Sequence, residues 1–165
     1  MDKIEYLDVV NDDDIVVGKA LRKDIYENKH RHRIVHVLIF NDREELALAL
    51  RSSKARYCPL HWVTSAGGHV QSGESYEEGA LRELGEELGI KAELKFAFKD
   101  NFDNMDGRNL KKYLVTFTAA ANGPFNINPD EAEKVKFFNI DKIKKMIKDG
   151  EKFHPELVFL LEKHY

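Results

Sequence analysis

The N-terminal stretch of the chain alternates between short apolar segments and polar breaks. Residues 6–10 and 15–17 are largely apolar and flank an aspartate-rich segment, residues 11–14, which predicts a β-hairpin over residues 5–18. Three adjacent aspartates also raise the question of a cation site. We interpret them as a solvated turn, because Asp and Asn favour turns and no further ligand spacing follows.

Longer apolar runs further along the chain predict the main body of the fold. Residues 34–40 and 46–50 are almost unbroken apolar runs around a turn-like segment, which predicts a buried β-hairpin. Residues 101–109 are rich in Asp, Asn and Gly and predict a loop. The pattern also predicts strands over 92–98, 113–121 and 135–138, a helix over 140–150 and a last helix from Pro155.

One predicted helix is marked at both ends and along its buried side. Apolar residues recur at helical spacing within residues 75–88, which predicts a stripe that packs on the core. Ser75 and Glu78 match a capping box, and Gly89 stands where a left-handed C-terminal cap is favoured. Glutamates three and four residues apart are expected to share a solvent-facing side of this helix. The acidic residues of the segment are Glu74, Glu77, Glu78, Glu83, Glu86 and Glu87.

Composition is typical of a globular protein and narrows the range of partners. The 165 residues are 42% hydrophobic and 33% charged, with a net charge of -3, so we expect one domain spanning residues 1–165. The negative charge provides no general field for polymeric nucleic acid or an anionic membrane. Cys58 is the single cysteine, which excludes an internal disulfide. No apolar run is long enough for a membrane span, so a cytoplasmic location is expected.

Residues 68–90 match a long sequence motif at every fixed position. The motif, G-x5-E-x7-R-E-U-x-E-E-x-G-U with U a bulky aliphatic residue, is the Nudix box, and nine specified positions make a chance match negligible. The chain resembles the Nudix hydrolase superfamily. This resemblance implies an α/β/α sandwich with a mixed β-sheet and a glutamate-rich catalytic helix, its core covering about residues 30–164. The matching residues are Gly68, Glu74, Arg82, Glu83, Leu84, Glu86, Glu87, Gly89 and Ile90.

The resemblance implies a metal-dependent hydrolase that splits a diphosphate linkage by attack of water. Glu83, Glu86 and Glu87 would hold Mg²⁺ or Mn²⁺, since hard oxygen ligands suit these ions. Metal ions would neutralise the phosphate charge and lower the pKa of bound water. The implied catalytic residues are Arg82, which would orient its neighbours by ion pairing, together with Glu83 and Glu86.

The general base has three candidates, because the position of this group varies within the family. Glu86, inside the box, is the first choice. Glu131 and Glu133, in the polar stretch 128–133, are the alternatives.

A wider pattern resembles the branch of the superfamily related to isopentenyl diphosphate isomerase. The similarity covers roughly residues 6–164. By this resemblance Arg51, Lys54 and Arg56 are candidates for binding the terminal phosphates, since neighbouring cations can bind several phosphate oxygens. Gly68 and Glu74 of the box complete the expected substrate-binding residues, Glu74 in a supporting role near the start of the helix.

The residues that an isomerase needs are missing from their expected positions. Gly67 replaces the catalytic cysteine, and Lys112 stands where an opposing carboxylate is expected. Two matching histidines, His32 and His69, are too few for the isomerase metal site. We therefore expect hydrolysis, while an isomerase with unusual residues and a catalytically silent binding module remain the alternatives. The expected partner is a small-molecule diphosphate, by default a nucleoside diphosphate derivative. The sequence leaves the oligomeric state open between a monomer and a homodimer, a form that Nudix proteins often adopt.

Overall fold

The computed structural model describes residues 3–165 and shows a mixed β-sheet with helices packed on both faces. This architecture confirms the α/β sandwich expected from the sequence. The elements in chain order are β1 (Tyr6–Val10), β2 (Val16–Leu21), α1 (Arg22–Glu27), β3 (His32–Phe40), β4 (Leu46–Arg51), β5 (Trp62–Val63), β6 (Ala66–His69), α2 (Tyr76–Leu88), β7 (Lys95–Asp103), β8 (Lys111–Ala120), β9 (Ala132–Phe138), α3 (Ile140–Lys148) and α4 (Pro155–His164).

The central strand β3 has different partners along its two edges. One edge runs parallel to β8 from end to end, and the other pairs with β6. Pairing of β3 with β4 is limited to Phe40 and Leu46, after which β4 pairs with β5 and β9. The predicted buried hairpin is therefore only partly correct, because its strands separate beyond the turn. Residues from both sides of this separation line the cleft described below.

Successive side chains of β3 point to opposite faces of the sheet, as strand geometry requires. Val35 and Val37 pack with Leu84 of α2 on one face. Leu38 packs with Leu157 of α4 on the other. Burial on both faces explains why β3 is an almost continuous apolar run. No helix within residues 3–165 is long and apolar enough to cross a membrane.

Helix α2 begins and ends where the sequence predicts. The Ser75 side chain accepts the Glu78 N–H at 3.1 Å, and the Glu78 carboxylate accepts the Ser75 N–H at 2.7 Å. This is the reciprocal capping box. Gly89 ends the helix in the left-handed region, with φ of 64°, where a residue without a Cβ is favoured.

Strand β7 and helix α1 also differ from the prediction. Strand β7 begins at Lys95, within the predicted strand over 92–98, and continues to Asp103. The predicted loop over 101–109 therefore contains strand residues and shortens to 104–110. Helix α1 was not predicted, because six residues are too few to show helical periodicity.

The aspartate-rich turn is solvated at Asp12 and Asp13, as predicted, but Asp14 anchors it to the sheet. The Asp14 side chain is only 6% exposed. It accepts hydrogen bonds from Arg33 Nε at 2.6 Å, Tyr76 Oη at 2.8 Å and Lys99 Nζ at 2.5 Å. Burial would raise the pKa of Asp14, but these hydrogen bonds outweigh it and lower the pKa. Asp14 therefore ties the N-terminal hairpin to β3, α2 and β7.

Replacing Asp14 with Asn should lower the free energy of unfolding by about 1–3 kcal/mol, because Arg33 would lose its charged partner in a largely buried position. Asparagine tolerates the positive φ of 59° at this position, so the change tests the charge and not the backbone. Asp13→Asn, on the exposed neighbour, is the matched control and should change stability by no more than about 0.5 kcal/mol. Urea unfolding measures both, and equal midpoints would contradict the anchoring role.

Candidate active site

Helix α2 places three of its acidic residues on one wall of a cleft of about 1020 Å³. Glu83, Glu86 and Glu87 all line this cleft. The side chain of Glu83 is 13% exposed, whereas that of Glu86 is 46% exposed. Of these three residues, only Glu86 fits the solvent-facing position that helical spacing predicts. Glu83 and Glu87 instead face strand β6, which covers them.

Two glycines of β6 allow this close approach between helix and strand. The Gly67 N–H donates to Glu87 Oε1 at 3.1 Å. A Cβ added at Gly68, which lines the cleft, would lie 2.5 Å from Glu83 Oε1. A Cβ at Gly67 would lie 2.6 Å from the carbonyl oxygen of Val35. Any larger residue at either position would therefore displace the strand or a carboxylate.

Glu83 and Glu87 form a partly buried carboxylate pair. Burial raises the pKa of Glu87 well above its ordinary value, and the neighbouring charge of Glu83 raises it further. Burial also raises the pKa of Glu83, although a hydrogen bond from Arg82 opposes this. Two carboxyls that share a buried position favour a bound proton or cation. Their oxygens are ligands that Mg²⁺ and Mn²⁺ accept, so the donor set fits such an ion.

The third predicted metal ligand lies apart from this pair. Glu86 contacts Lys3 Nζ at 3.5 Å and Arg82 Nη1 at 3.4 Å. Among residues 3–165, no three His, Cys, Asp or Glu side chains already surround a common metal position. Glu86 would have to rotate toward the pair in order to share an ion with it, and its exposure leaves room for that rotation.

Arg82 connects the helix to the loop before it. Its guanidinium donates to both oxygens of Glu74, at 2.6 and 3.0 Å, and to Glu83 Oε1 at 2.8 Å. It also donates to the carbonyl oxygen of His69 at 2.9 Å. Glu74, which was predicted among the substrate-binding residues, does not line the cleft. Its carboxylate holds Arg82 and accepts the Gln71 N–H at 2.8 Å, so it positions the helix instead.

Positive charge lies on a separate part of the cleft wall. Arg51, at the end of β4, lines the cleft, and its buried Nε has no hydrogen-bond partner in the described part of the chain. Arg56 and Arg108 line the cleft as well. Lys54, the other predicted phosphate-binding residue, is exposed and lies outside the cleft lining. The structure therefore does not bring Lys54 together with Arg51.

The two loop candidates for the general base are also separated. Glu131 lines the cleft, and its charge contributes to the raised pKa of Glu87. Glu133 lies outside the cleft lining and accepts the Ser53 N–H at 2.8 Å. Of this pair, only Glu131 has access to the cleft.

Sequence reasoning missed a buried polar network at the inner end of the cleft. Glu156, at the start of α4, accepts hydrogen bonds from Lys112 Nζ and from His36 Nε2, both at 2.8 Å. His36 Nδ1 lies 2.8 Å from Thr64 Oγ1. Burial would raise the pKa of Glu156, but His36 and Lys112 hold it well below its ordinary value. The sequence signal that could have found this network was Lys112, which directly precedes the apolar residues of β8. A lysine at a buried position predicts a charged partner nearby, because lysine is rarely buried unless paired.

The two histidines that match isomerase ligands, His32 and His69, contact other groups of the protein. The rings of His32 and His69 stack with centroids 5.7 Å apart. The Tyr26 hydroxyl lies 2.6 Å from His69 Nε2, and His32 Nδ1 lies 2.9 Å from the His30 carbonyl oxygen. Burial lowers the pKa of His32 to about 4 and that of His69 well below its ordinary value. Both rings are therefore neutral near pH 7.

Comparisons with known sequences identify relatives over most of the chain. The family model for the NUDIX domain matches residues 30–161. A Nudix hydrolase of Yersinia pestis, itself uncharacterized, is 30% identical over 132 residues, which cover 80% of this chain and 71% of the relative. The match extends well beyond the glutamate helix to the strands that form the cleft.

Solved structures show the same fold. A crystal structure of a Deinococcus radiodurans protein has a TM-score of 0.84 and 28% identity, covering 98% of this chain and 99% of that one. The NUDIX domain of Shewanella oneidensis NrtR, crystallised with ADP-ribose, shares the fold with a TM-score of 0.64 and 18% identity, covering 86% and 95% of the two chains. From the matched domain, the relatives and the complete box on α2, the chain belongs to the Nudix family of pyrophosphohydrolases.

Proposed function

We propose that the protein cleaves the diphosphate linkage of a nucleoside diphosphate derivative, with a divalent metal and water as the nucleophile. The observation that carries the proposal is the partly buried Glu83–Glu87 pair in a cleft that Arg51 also lines. This arrangement suits a substrate whose phosphates bind a metal at one end and a guanidinium at the other. The NrtR domain from Shewanella oneidensis binds ADP-ribose, a compound of this class.

Glu83, Glu86 and Glu87 would hold Mg²⁺ or Mn²⁺ in this proposal. When bound, such a metal neutralises phosphate charge and lowers the pKa of coordinated water. The chain itself fixes two of the three ligands, because Arg82 orients Glu83 and the Gly67 N–H orients Glu87. Glu86, the most exposed of the three, is the proposed general base, and Glu131 is the alternative that shares the cleft.

The wider likeness to isopentenyl diphosphate isomerase does not extend to its reaction. Isomerisation needs two positioned acid–base groups facing the hydrocarbon. Gly67 stands in place of one of them, and its contact with the Val35 carbonyl oxygen leaves no room for a side chain. Lys112, in place of the other, is a cation paired with Glu156 and would disfavour a carbocation. The likeness therefore concerns the sequence pattern and not the chemistry.

Glu86→Gln should lower kcat by about 100-fold or more, because it removes the proposed base while leaving an exposed position intact. Glu77→Gln, on an exposed position of the same helix, is the matched control and should leave kcat unchanged. Turnover is measured with Mg²⁺ or Mn²⁺ on ADP-ribose, dinucleoside polyphosphates and nucleoside diphosphates. Equal rates for the two variants, or full turnover in excess chelator, would contradict the proposal.

Glu87→Gln should raise the thermal stability of the metal-free protein at pH 7 to 8. The pKa of Glu87 is higher in the folded protein than in the unfolded chain. Its contribution to stability is therefore present at low pH and lost as the pH rises from the unfolded pKa toward the folded one. Glutamine mimics the protonated form and avoids this loss. For a chain of this size, each kcal/mol added to the free energy of unfolding raises Tm by about 2–4 °C.

Calorimetry in chelator at pH 4.5 and pH 7.5 tests this expectation. The difference in Tm between Glu87→Gln and the unaltered protein should be larger at the higher pH. Added Mn²⁺ should raise the Tm of the unaltered protein and have little effect on the variant, whereas the exposed-site variant Glu77→Gln should respond like the unaltered protein. A lower Tm for Glu87→Gln at pH 7.5 would show that the charged Glu83–Glu87 pair does not destabilise the metal-free protein.

Arg51→Ala should raise KM by about tenfold or more, in line with the loss of a charged hydrogen bond to phosphate, which contributes about 1.5–3 kcal/mol. The value of kcat should change little if Arg51 binds substrate and transition state equally. Lys54→Ala, a nearby cation outside the cleft, is the matched control and should leave both constants unchanged. A larger effect on KM from Lys54→Ala than from Arg51→Ala would indicate that the phosphate binds outside the cleft.

A further inference from the structure

The loop 104–110 places a fixed guanidinium inside the cleft. Arg108 lies over the Tyr57 ring, with its Cζ 3.7 Å from the ring centroid, and 5.5 Å from the Tyr26 ring centroid. Asp106 accepts hydrogen bonds from Arg108 Nε at 3.0 Å and from Nη2 at 2.7 Å. Because the Asp106 side chain is buried, the orientation of the guanidinium is set before any ligand arrives.

A buried ammonium group lies beside this guanidinium. Lys112 Nζ is 2.8 Å from Glu156 Oε1 and 3.5 Å from Asp106 Oδ2. An ammonium group has three N–H donors, so one remains for a ligand in the cleft, which Lys112 lines. Buried ion pairs contribute little net stability compared with apolar packing. The position of Lys112 is therefore better explained by recognition than by folding.

This inner end is directly connected to the carboxylate pair. Gly67 donates to Glu87 through its N–H, and a Cβ at Gly67 would lie 3.1 Å from His36 Nδ1. His36 in turn hydrogen-bonds Glu156, the partner of Lys112. One glycine therefore separates the proposed metal ligands from the polar network. A group attached to a diphosphate at the carboxylates would reach the inner end.

We propose that the inner end of the cleft is a nucleobase subsite, in which the base stacks on Arg108 and accepts a hydrogen bond from Lys112. This rests on the proposed function, because it names the part of the substrate joined to the diphosphate. Bases stack on aromatic rings and on guanidinium planes, and the Arg108 guanidinium is such a plane, held over the Tyr57 ring. A prenyl chain would leave the Lys112 donor unpaired, and sites built for hydrogen bonding reject such analogues strongly.

The test measures binding without metal or turnover. The full-length protein in excess chelator is titrated calorimetrically with AMP, CMP, GMP, UMP and ribose 5-phosphate, which has the same sugar phosphate but no base. At least one mononucleotide should bind about tenfold or more tightly than ribose 5-phosphate, as expected for one stacked base. Arg108→Lys keeps the positive charge but removes the planar guanidinium, so it should abolish the preference for the mononucleotide over ribose 5-phosphate. The exposed Arg43→Lys is the matched control and should keep it.

Equal binding of all five probes, or a base preference that survives Arg108→Lys, would overturn the subsite. If that variant unfolds, as seen by circular dichroism, Tyr57→Leu removes the supporting ring and takes its place with the same expected result. Base-dependent binding by a protein that hydrolyses nothing would support the subsite and overturn the proposed hydrolysis. Hydrolysis without base preference would do the opposite, so the two proposals fail separately.

Discussion

The close approach of helix α2 to strand β6 is the constraint on which the site depends. Gly67 and Gly68 bring the backbone of β6 against Glu83 and Glu87 and exclude water from that side of the carboxylates. Like charges on an open helix surface cost only about 0.2–0.5 kcal/mol per pair. The same charges repel more strongly in a covered position, where the effective dielectric constant is lower. In the proposed function a bound cation would relieve this repulsion.

The cleft itself results from the way in which β3 changes partners. Because β3 and β4 share only the pair Phe40 and Leu46, the sheet opens between them. On one side of this opening, helix α2 packs against β6. On the other side, Arg51 lies at the end of β4. The Glu83–Glu87 pair and Arg51 are thereby held on separate elements, and in the proposed function a phosphate chain would bind between them.

The sequence predicts this fold best where the signals are local. The caps of α2, its apolar stripe and the unbroken run of β3 follow from residues a few positions apart. The polar network does not, since Glu156 lies 44 residues from Lys112 and 120 residues from His36 along the chain. Such contacts depend on tertiary packing, for which a single sequence has no periodic signal.

The predicted substrate contacts show the same limit at shorter range. Arg51 and Lys54 are three residues apart, but only Arg51 lines the cleft, because β4 ends at that residue and the chain turns away. Glu74 was assigned to substrate because it belongs to the motif, whereas the structure uses its carboxylate to hold Arg82. A motif specifies which residues occur together, but not which of them face the ligand.

The position of Glu156 on α4 also sets an order for folding. The cleft lining extends from Lys3 to Leu157, and pairings between such distant residues form late because loop closure precedes them. During synthesis, Lys112 and His36 leave the ribosome before Glu156, whose carboxylate accepts their hydrogen bonds. In a nascent chain ending before α4, both groups would lack their Glu156 partner, so the polar network is complete only once that helix has docked.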